Sequence, residues 1–359
     1  MKTEHDLVSL LGIGHPIIQA PMAGVSTPRL AAEVSNAGGL GSIGVGASTA
    51  AEAQAMISGT RSLTARPFNV NVFCHPPSKR DPAVEQAWLR HLAPLFAEAG
   101  ATPPDTLHEI YRSFLADDDM LDVLLAERPP VVSFHFGLPH VKQLRAIQQA
   151  GIKTMATATN LAEASAIEAA GIDVVVAQGV EAGGHRGMFD TSARDERLSM
   201  SVLVRMLAKR SGGRPVVAAG GIMDGASIQA AMDIGAAGVQ VGTAFILCPE
   251  SAANASYRES LKSDRAARTA LTRVLSGRLA RGIVNRLIEH GEAAGSPSPA
   301  DYPIAYDATK QLVAAASKRG IDSFNVHWAG QGATLAREMP AAALVDTLLA
   351  ERRAARGTR

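Results

Sequence analysis

One stretch carries the residue types that a cofactor pocket with a proton acceptor needs: Ala177-Gln178-Gly179-Val180-Glu181-Ala182-Gly183-Gly184-His185-Arg186-Gly187. Its glycines let backbone N–H groups approach a ligand closely and take up positive φ, and the histidine beside them titrates near neutral pH. The stretch follows Asp173-Val174-Val175-Val176, an apolar β-branched run that reads as a buried parallel strand. A tight surface turn with a solvated histidine is the plainer reading, and the glycine loops that recur downstream weigh against it.

Two of those loops are Ala219-Gly220-Gly221 and Gln240-Val241-Gly242-Thr243. Small residues there leave room for phosphate oxygens, which backbone N–H groups and the positive end of a following helix would bind. In Phe68-Asn69-Val70-Asn71-Val72-Phe73, alternation puts Asn69 and Asn71 on one strand face, where buried amides must find partners. Bonds to neighbouring backbone and contact with a ligand are equally compatible with that spacing.

The elements that must position these residues follow a βα rhythm. Pro16–Met22, Leu40–Gly44, Phe68–Phe73, Val131–Gly137, Lys153–Ala158, Asp173–Val176, Pro215–Ala219 and Gly238–Phe245 read as eight strands. Helix signals fall between them: Thr27-Pro28, a helix over Thr49–Ser58, a capping box from Asn160 and Glu163, a helix over Ser199–Lys209, and Asp224 as a cap. Gly151, Gly171 and Gly235 each end a helix just before a strand. Eight such units make an α/β fold of the (β/α)8 TIM barrel type the expected architecture, with an open doubly wound sheet as the alternative. In a barrel, ligands sit on the loops after the strands, where His185 and both glycine loops fall.

The rhythm lapses from His75 to Pro130. We read residues 75–130 as a helical insertion after the third strand that covers one barrel mouth, with helices over Ala83–Phe96 and Thr106–Leu125. Its Asp117-Asp118-Asp119 run reads as a helix start or solvated face, because adjacent helix positions do not converge on a metal. The expected domains are the barrel over residues 1–248 and a helical C-terminal extension over 249–359. Helices over Asp307–Lys318 and Gln331–Arg353 would pack on the barrel or at the contact of a homo-oligomer, beyond the linker-like Gly291–Pro299.

Thirty-five Lys+Arg against 34 Asp+Glu leave a formal charge of +1, which offers no footprint for nucleic acid or an anionic membrane. Cys74 and Cys248 form no metal spacing and read as small buried hydrophobes. The first residues lack a signal-peptide pattern and no run of about 18 apolar residues occurs, so a cytoplasmic protein is expected. No dinucleotide fingerprint, P-loop, HExxH, GxSxG or EF-hand loop stands in the right context, which disfavours a common NAD, ATP, hydrolase or metal site.

Taken together, Pro16-Ile17-Ile18-Gln19-Ala20-Pro21-Met22-Ala23-Gly24, the Asn71 strand, the Ala177–Gly187 loop, Ala218-Ala219-Gly220-Gly221-Ile222, Gln240–Thr243 and Ser276-Gly277-Arg278-Leu279-Ala280-Arg281-Gly282 resemble the nitronate monooxygenase family. That family was formerly called 2-nitropropane dioxygenase. The motifs run in order from residue 16 to about 290. The resemblance implies an FMN-binding barrel, with Met22 near the flavin ring and Asn71, Gln178, Gly183, Gly220, Gly221, Gln240, Val241, Gly242 and Thr243 around the cofactor. It makes His185 the catalytic base and offers His135 as a donor to the nitro oxygens, a core histidine bonded to backbone being the alternative for His135. The implied reaction takes a small-molecule nitronate and O2 to a carbonyl compound and nitrite via a flavin semiquinone. A neutral nitroalkane such as nitroethane would first lose its α-proton to His185. Competing readings are an FMN-dependent NAD(P)H reductase of the quinone or enoyl-acyl-carrier-protein type, a flavin-free barrel isomerase or synthase, and a catalytically silent binding protein.

Overall fold

The computed structural model describes residues 3–210 and 213–357. Its parallel strands are Ile17–Gln19, Gly41–Gly44, Phe68–Phe73, Val131–His135, Lys153–Ala158, Val174–Gln178, Val216–Ala219 and Gly238–Val241. From the second to the eighth, each pairs with the next, and the eighth returns to the first with Val239 opposite Ile17. A parallel bridge between Ile18 and Leu40 brings the first and second strands together and closes the (β/α)8 barrel. Val174, Val175 and Val176 are buried, as a strand covered on both faces requires.

Local chemistry sets the helix starts. Thr27 Oγ1 accepts the Leu30 N–H at 3.0 Å, and Pro28 opens the helix Pro28–Asn36. Asp224 and Ser227 exchange capping bonds at the head of Gly225–Asp233. The Asn160 box is only half made. Asn160 accepts the Glu163 N–H, but the Glu163 carboxylate takes the N–H and hydroxyl of Thr159 and the Phe189 N–H, tying the end of the fifth strand to the loop beyond His185.

Two expected helices need correction, and one helix had no counterpart among the expectations. The helix expected over Thr106–Leu125 is α-helical only as Asp118–Glu127, which Asp117 caps through the Met120 N–H. Upstream, the backbone is satisfied by tertiary partners: His108 N–H donates to Asp307 and the Asp105 carbonyl accepts from Gln86. The last helix begins at Ala341, after Pro340, and residues 331–340 instead fold back over the barrel, with Gln331 N–H on the Glu181 carbonyl. A helix at Glu4–Leu11 was not expected. Thr3 and Asp6 cap it, Leu7 and Leu11 are buried, and Leu7 abuts Gly238 at the start of the eighth strand, so the helix stoppers the mouth opposite the ligand loops.

The cores do not divide at residue 248. Helix Ala341–Gly357 packs against Gly225–Asp233 and Pro28–Asn36, and its Leu344, Val345 and Leu348 join the main barrel core. A second core gathers Trp88, Leu92 and Phe96 of helix Pro82–Glu98 with Ile304, Ala308 and Leu312 of helix Ile304–Ser317. The insertion and the middle of the extension therefore form one body. A small antiparallel sheet of Thr269–Thr272, Ala280–Ile283 and Gly184–His185 joins it to the barrel. Among the described residues no helix is long and apolar enough to cross a membrane.

Candidate active site

At the carboxyl ends of the strands lies a cavity of about 800 Å³, within the range of small-molecule and cofactor sites. Its floor is made of strand ends and the loops after them: Asn71, Ser133, Gln178, Gly220, Gln240 and Thr243 among them. Its roof comes from the second body and its flanks, through Tyr111, Tyr302, Tyr306, Lys310 and Trp328.

His185 is placed by its backbone. It pairs with Ala280 in the small sheet, and its carbonyl accepts from Gln178 Nε2 at 3.0 Å and His135 Nε2 at 3.2 Å. The ring stands in an aromatic box, with the rings of Trp328, Tyr302, Phe136 and Tyr306 centred 5.0 to 6.2 Å away. Nε2 lies 2.9 Å from Ser276 Oγ. Burial, then the positive charge of Arg278, pushes the imidazole down to about 3, so it is neutral at physiological pH and free to accept a proton.

Arg278 is 2% exposed and has no ion-pair partner among the described residues. Its guanidinium lies 4.0 Å above Phe136 and donates to the Met188 carbonyl, and burial lowers it to about 10. Ser276, Arg278, Phe136 and the roof aromatics were given no role from the sequence. Only the Ser276–Gly282 run hinted at the first two, as part of a motif without an assigned chemistry.

The glycine loops form a cradle. A Cβ on Gly183 would sit 2.5 Å from Gly330 N, and Gly220 and Gly221 hold φ of +120° and +69°. Thr243 Oγ1 accepts the Gly330 N–H at 3.0 Å, which leaves its own proton for an anion. The N–H groups of Gly221 and Thr243 meet no protein acceptor among the described residues. The helix after the seventh strand does not help as expected, because Asp224 and Glu351 already occupy the N–H groups of Ser227 and Gly225.

The other expected residues divide. Met22, Asn71, Gln178, Gly183, Gly220, Gly221, Gln240, Gly242, Thr243, His135 and His185 all line the cavity. Val241 does not; its side chain is 1% exposed in the barrel core. Asn71 Nδ2 donates to the Ser133 carbonyl and hydroxyl, leaving Oδ1 without a protein partner among the described residues, whereas Asn69 lies deeper against Ser42. The Gln178 amide is spent within the loop, its Oε1 accepting the Gly187 N–H at 2.8 Å. His135 is not free to donate to a substrate. Nε2 must donate to the His185 carbonyl, so Nδ1 accepts from Thr157 Oγ1 at 3.0 Å, and burial pushes this ring too down to about 3.

The family model described as nitronate monooxygenase matches residues 4–351. The chain belongs to the nitronate monooxygenase family. It is 59% identical to a nitronate monooxygenase of Pseudomonas aeruginosa over 96% of this chain and 98% of the relative, and 57% identical to one of Paraburkholderia phytofirmans over 95% and 93%. Among solved structures, a nitroalkane oxidase from Streptomyces ansochromogenes superposes with a TM-score of 0.90 at 42% identity, covering 98% of this chain and 99% of that one. This family member is therefore an oxidoreductase built on a (β/α)8 barrel.

Proposed function

We propose that the protein is an FMN-dependent nitronate monooxygenase that oxidises alkyl nitronates with O2 to a carbonyl compound and nitrite. The observation that carries the reading is His185, a neutral imidazole in an aromatic box, lining the same cavity as a cradle of glycines and Thr243 suited to an anion. These residues fit FMN. Gly220, Gly221, Gly242 and Thr243 would hold the phosphate, Asn71 Oδ1 would accept from the pyrimidine edge, and Met22 would flank the ring. When bound, the flavin supplies electron transfer between substrate and dioxygen.

The chain's own residues bind, orient and deprotonate. Lys310 Nζ lies 4.8 Å from the Tyr111 ring centroid and 5.6 Å from that of Tyr306, where it attracts an anionic nitronate toward the cavity. His185 takes the α-proton when the substrate arrives as a neutral nitroalkane. His135 and Gln178 hold the His185 main chain so that the ring meets the substrate carbon in one geometry. The roof aromatics exclude water from that contact.

The test is a visible spectrum of the purified protein followed by nitrite release from propionate 3-nitronate and nitroethane. A yellow protein that releases nitrite supports the reading. A colourless protein would favour an isomerase or synthase, and bleaching of the flavin by anaerobic NADH or NADPH would favour a reductase.

A further inference from the structure

We propose that Ser276 is a positioning residue that fixes His185 as the Nε2–H tautomer and so makes Nδ1 the atom that receives the substrate proton. The inference rests on the proposed function only for the identity of that substrate.

It follows from counting protons around one oxygen. Ser276 is fully buried, and its Oγ lies 2.9 Å from His185 Nε2, 3.2 Å from the Arg278 carbonyl oxygen and 3.4 Å from the Arg278 nitrogen. The Arg278 N–H can only donate, and the Arg278 carbonyl can only accept. A hydroxyl has one proton to give. If Ser276 gave it to Nε2, the Arg278 carbonyl, which has no other partner among the described residues, would be left buried and unpaired. The satisfied arrangement sends the Ser276 proton to that carbonyl and receives the Nε2–H of His185 on Oγ. All three contacts are then made at once.

Nδ1 is thereby left as a lone pair. No protein group meets it among the described residues, and the ring lines the cavity. The backbone cannot turn the ring freely, since the His185 carbonyl is gripped by Gln178 and His135 and its strand pairs with Ala280. The step balances simply. The α C–H bond of a neutral nitroalkane breaks, its proton passes to Nδ1, its electron pair stays on the substrate as the nitronate, and Nε2–H remains on Ser276 throughout.

The experiment is 15N NMR of holoenzyme labelled at histidine, with His185→Gln identifying the His185 resonances. The expected result at neutral pH is a pyridine-like Nδ1 and a pyrrole-like Nε2; the reversed or averaged pattern overturns the assignment. In Ser276→Ala the two resonances should move toward an average and kcat/KM for nitroethane should fall more than about tenfold, with a smaller loss for preformed nitronate. An unchanged wild-type pattern in that variant removes Ser276 from the account. Ser276→Thr, which keeps the hydroxyl, should keep the wild-type pattern. Failure to release nitrite from any nitronate would sink the proposed activity instead, and the NMR pattern would remain readable.

Discussion

The floor and the roof of the cavity are built by different rules. Floor groups sit on strand ends or the first residues beyond them, and adjacent barrel strands hold them: Asn71 bonds Ser133 on the next strand, and Gln178 braces the loop that follows it. Roof groups come from residues 111, 302, 306, 310 and 328, on segments near a second core of Trp88, Phe96, Ile304 and Leu312, and Tyr111 and Tyr302 also pack on Phe136 just beyond the fourth strand. A change in the floor should therefore act through the backbone on cofactor and chemistry. A change in the roof should act through stability and access.

That contrast can be broken in several ways. The largest effect is expected at His185, where the two parts meet. His185→Asn should lower kcat/KM for nitroethane by about 10²- to 10⁴-fold and spare preformed nitronate, as steady-state nitrite release would show; equal losses on both substrates would remove its role as base. In the floor, Gly183→Ala forces a methyl to 2.5 Å from Gly330 N, so the purified variant should retain far less flavin per chain. If it keeps full flavin, the cradle is misplaced.

In the roof, Trp88→Ala should cost about 3–5 kcal/mol in denaturant unfolding while leaving the flavin content of folded protein near that of the wild type. Loss of flavin in parallel would show that the two parts are not separable. Acid should act on both together. His135 and His185 are held at about 3 in the fold, against 6.5 for the ordinary imidazole. The unfolded chain thus binds protons that the folded one refuses, so their contribution is complete above about pH 6.5 and drains away as pH falls toward 3. A urea midpoint that stays constant from pH 7 to about 5 would contradict this linkage. The smallest effect is expected at the exposed Lys310. Lys310→Met should raise KM for propionate 3-nitronate by roughly fivefold at low salt, less at high salt, with kcat unchanged.

The same contrast explains what could be read from the amino-acid order. The barrel was legible because Val174–Gln178 or Val216–Ala219 declare themselves by β-branched runs that end in glycine, and the floor inherits its positions from those strands. The Val241 side chain does not line the cavity because side chains alternate along a strand. Gln240 faces the cavity while its neighbour faces the core, and the motif around them does not say which is which. Which of the two readings of His135 its surroundings favour turns on a hydrogen bond to residue 185, fifty positions away. Trp328 and Tyr302 carry no local signal at all, since their place over His185 comes from tertiary packing alone. The helix at Glu4–Leu11 was hidden by its brevity and its charges, though Thr3 and Asp6 at capping spacing marked its start.

The helix Ala341–Gly357 fills the gap in the outer ring between Pro28–Asn36 and Gly225–Asp233, and Arg352 within it grips Glu4 across 348 residues. A nascent chain therefore cannot seal its ring from the front as it leaves the ribosome. The opening third must wait, its apolar flank uncovered, until the final helix has been translated. Premature termination before residue 341 should yield aggregation-prone product that chaperones retain, even though every residue of the glycine cradle would already have been made.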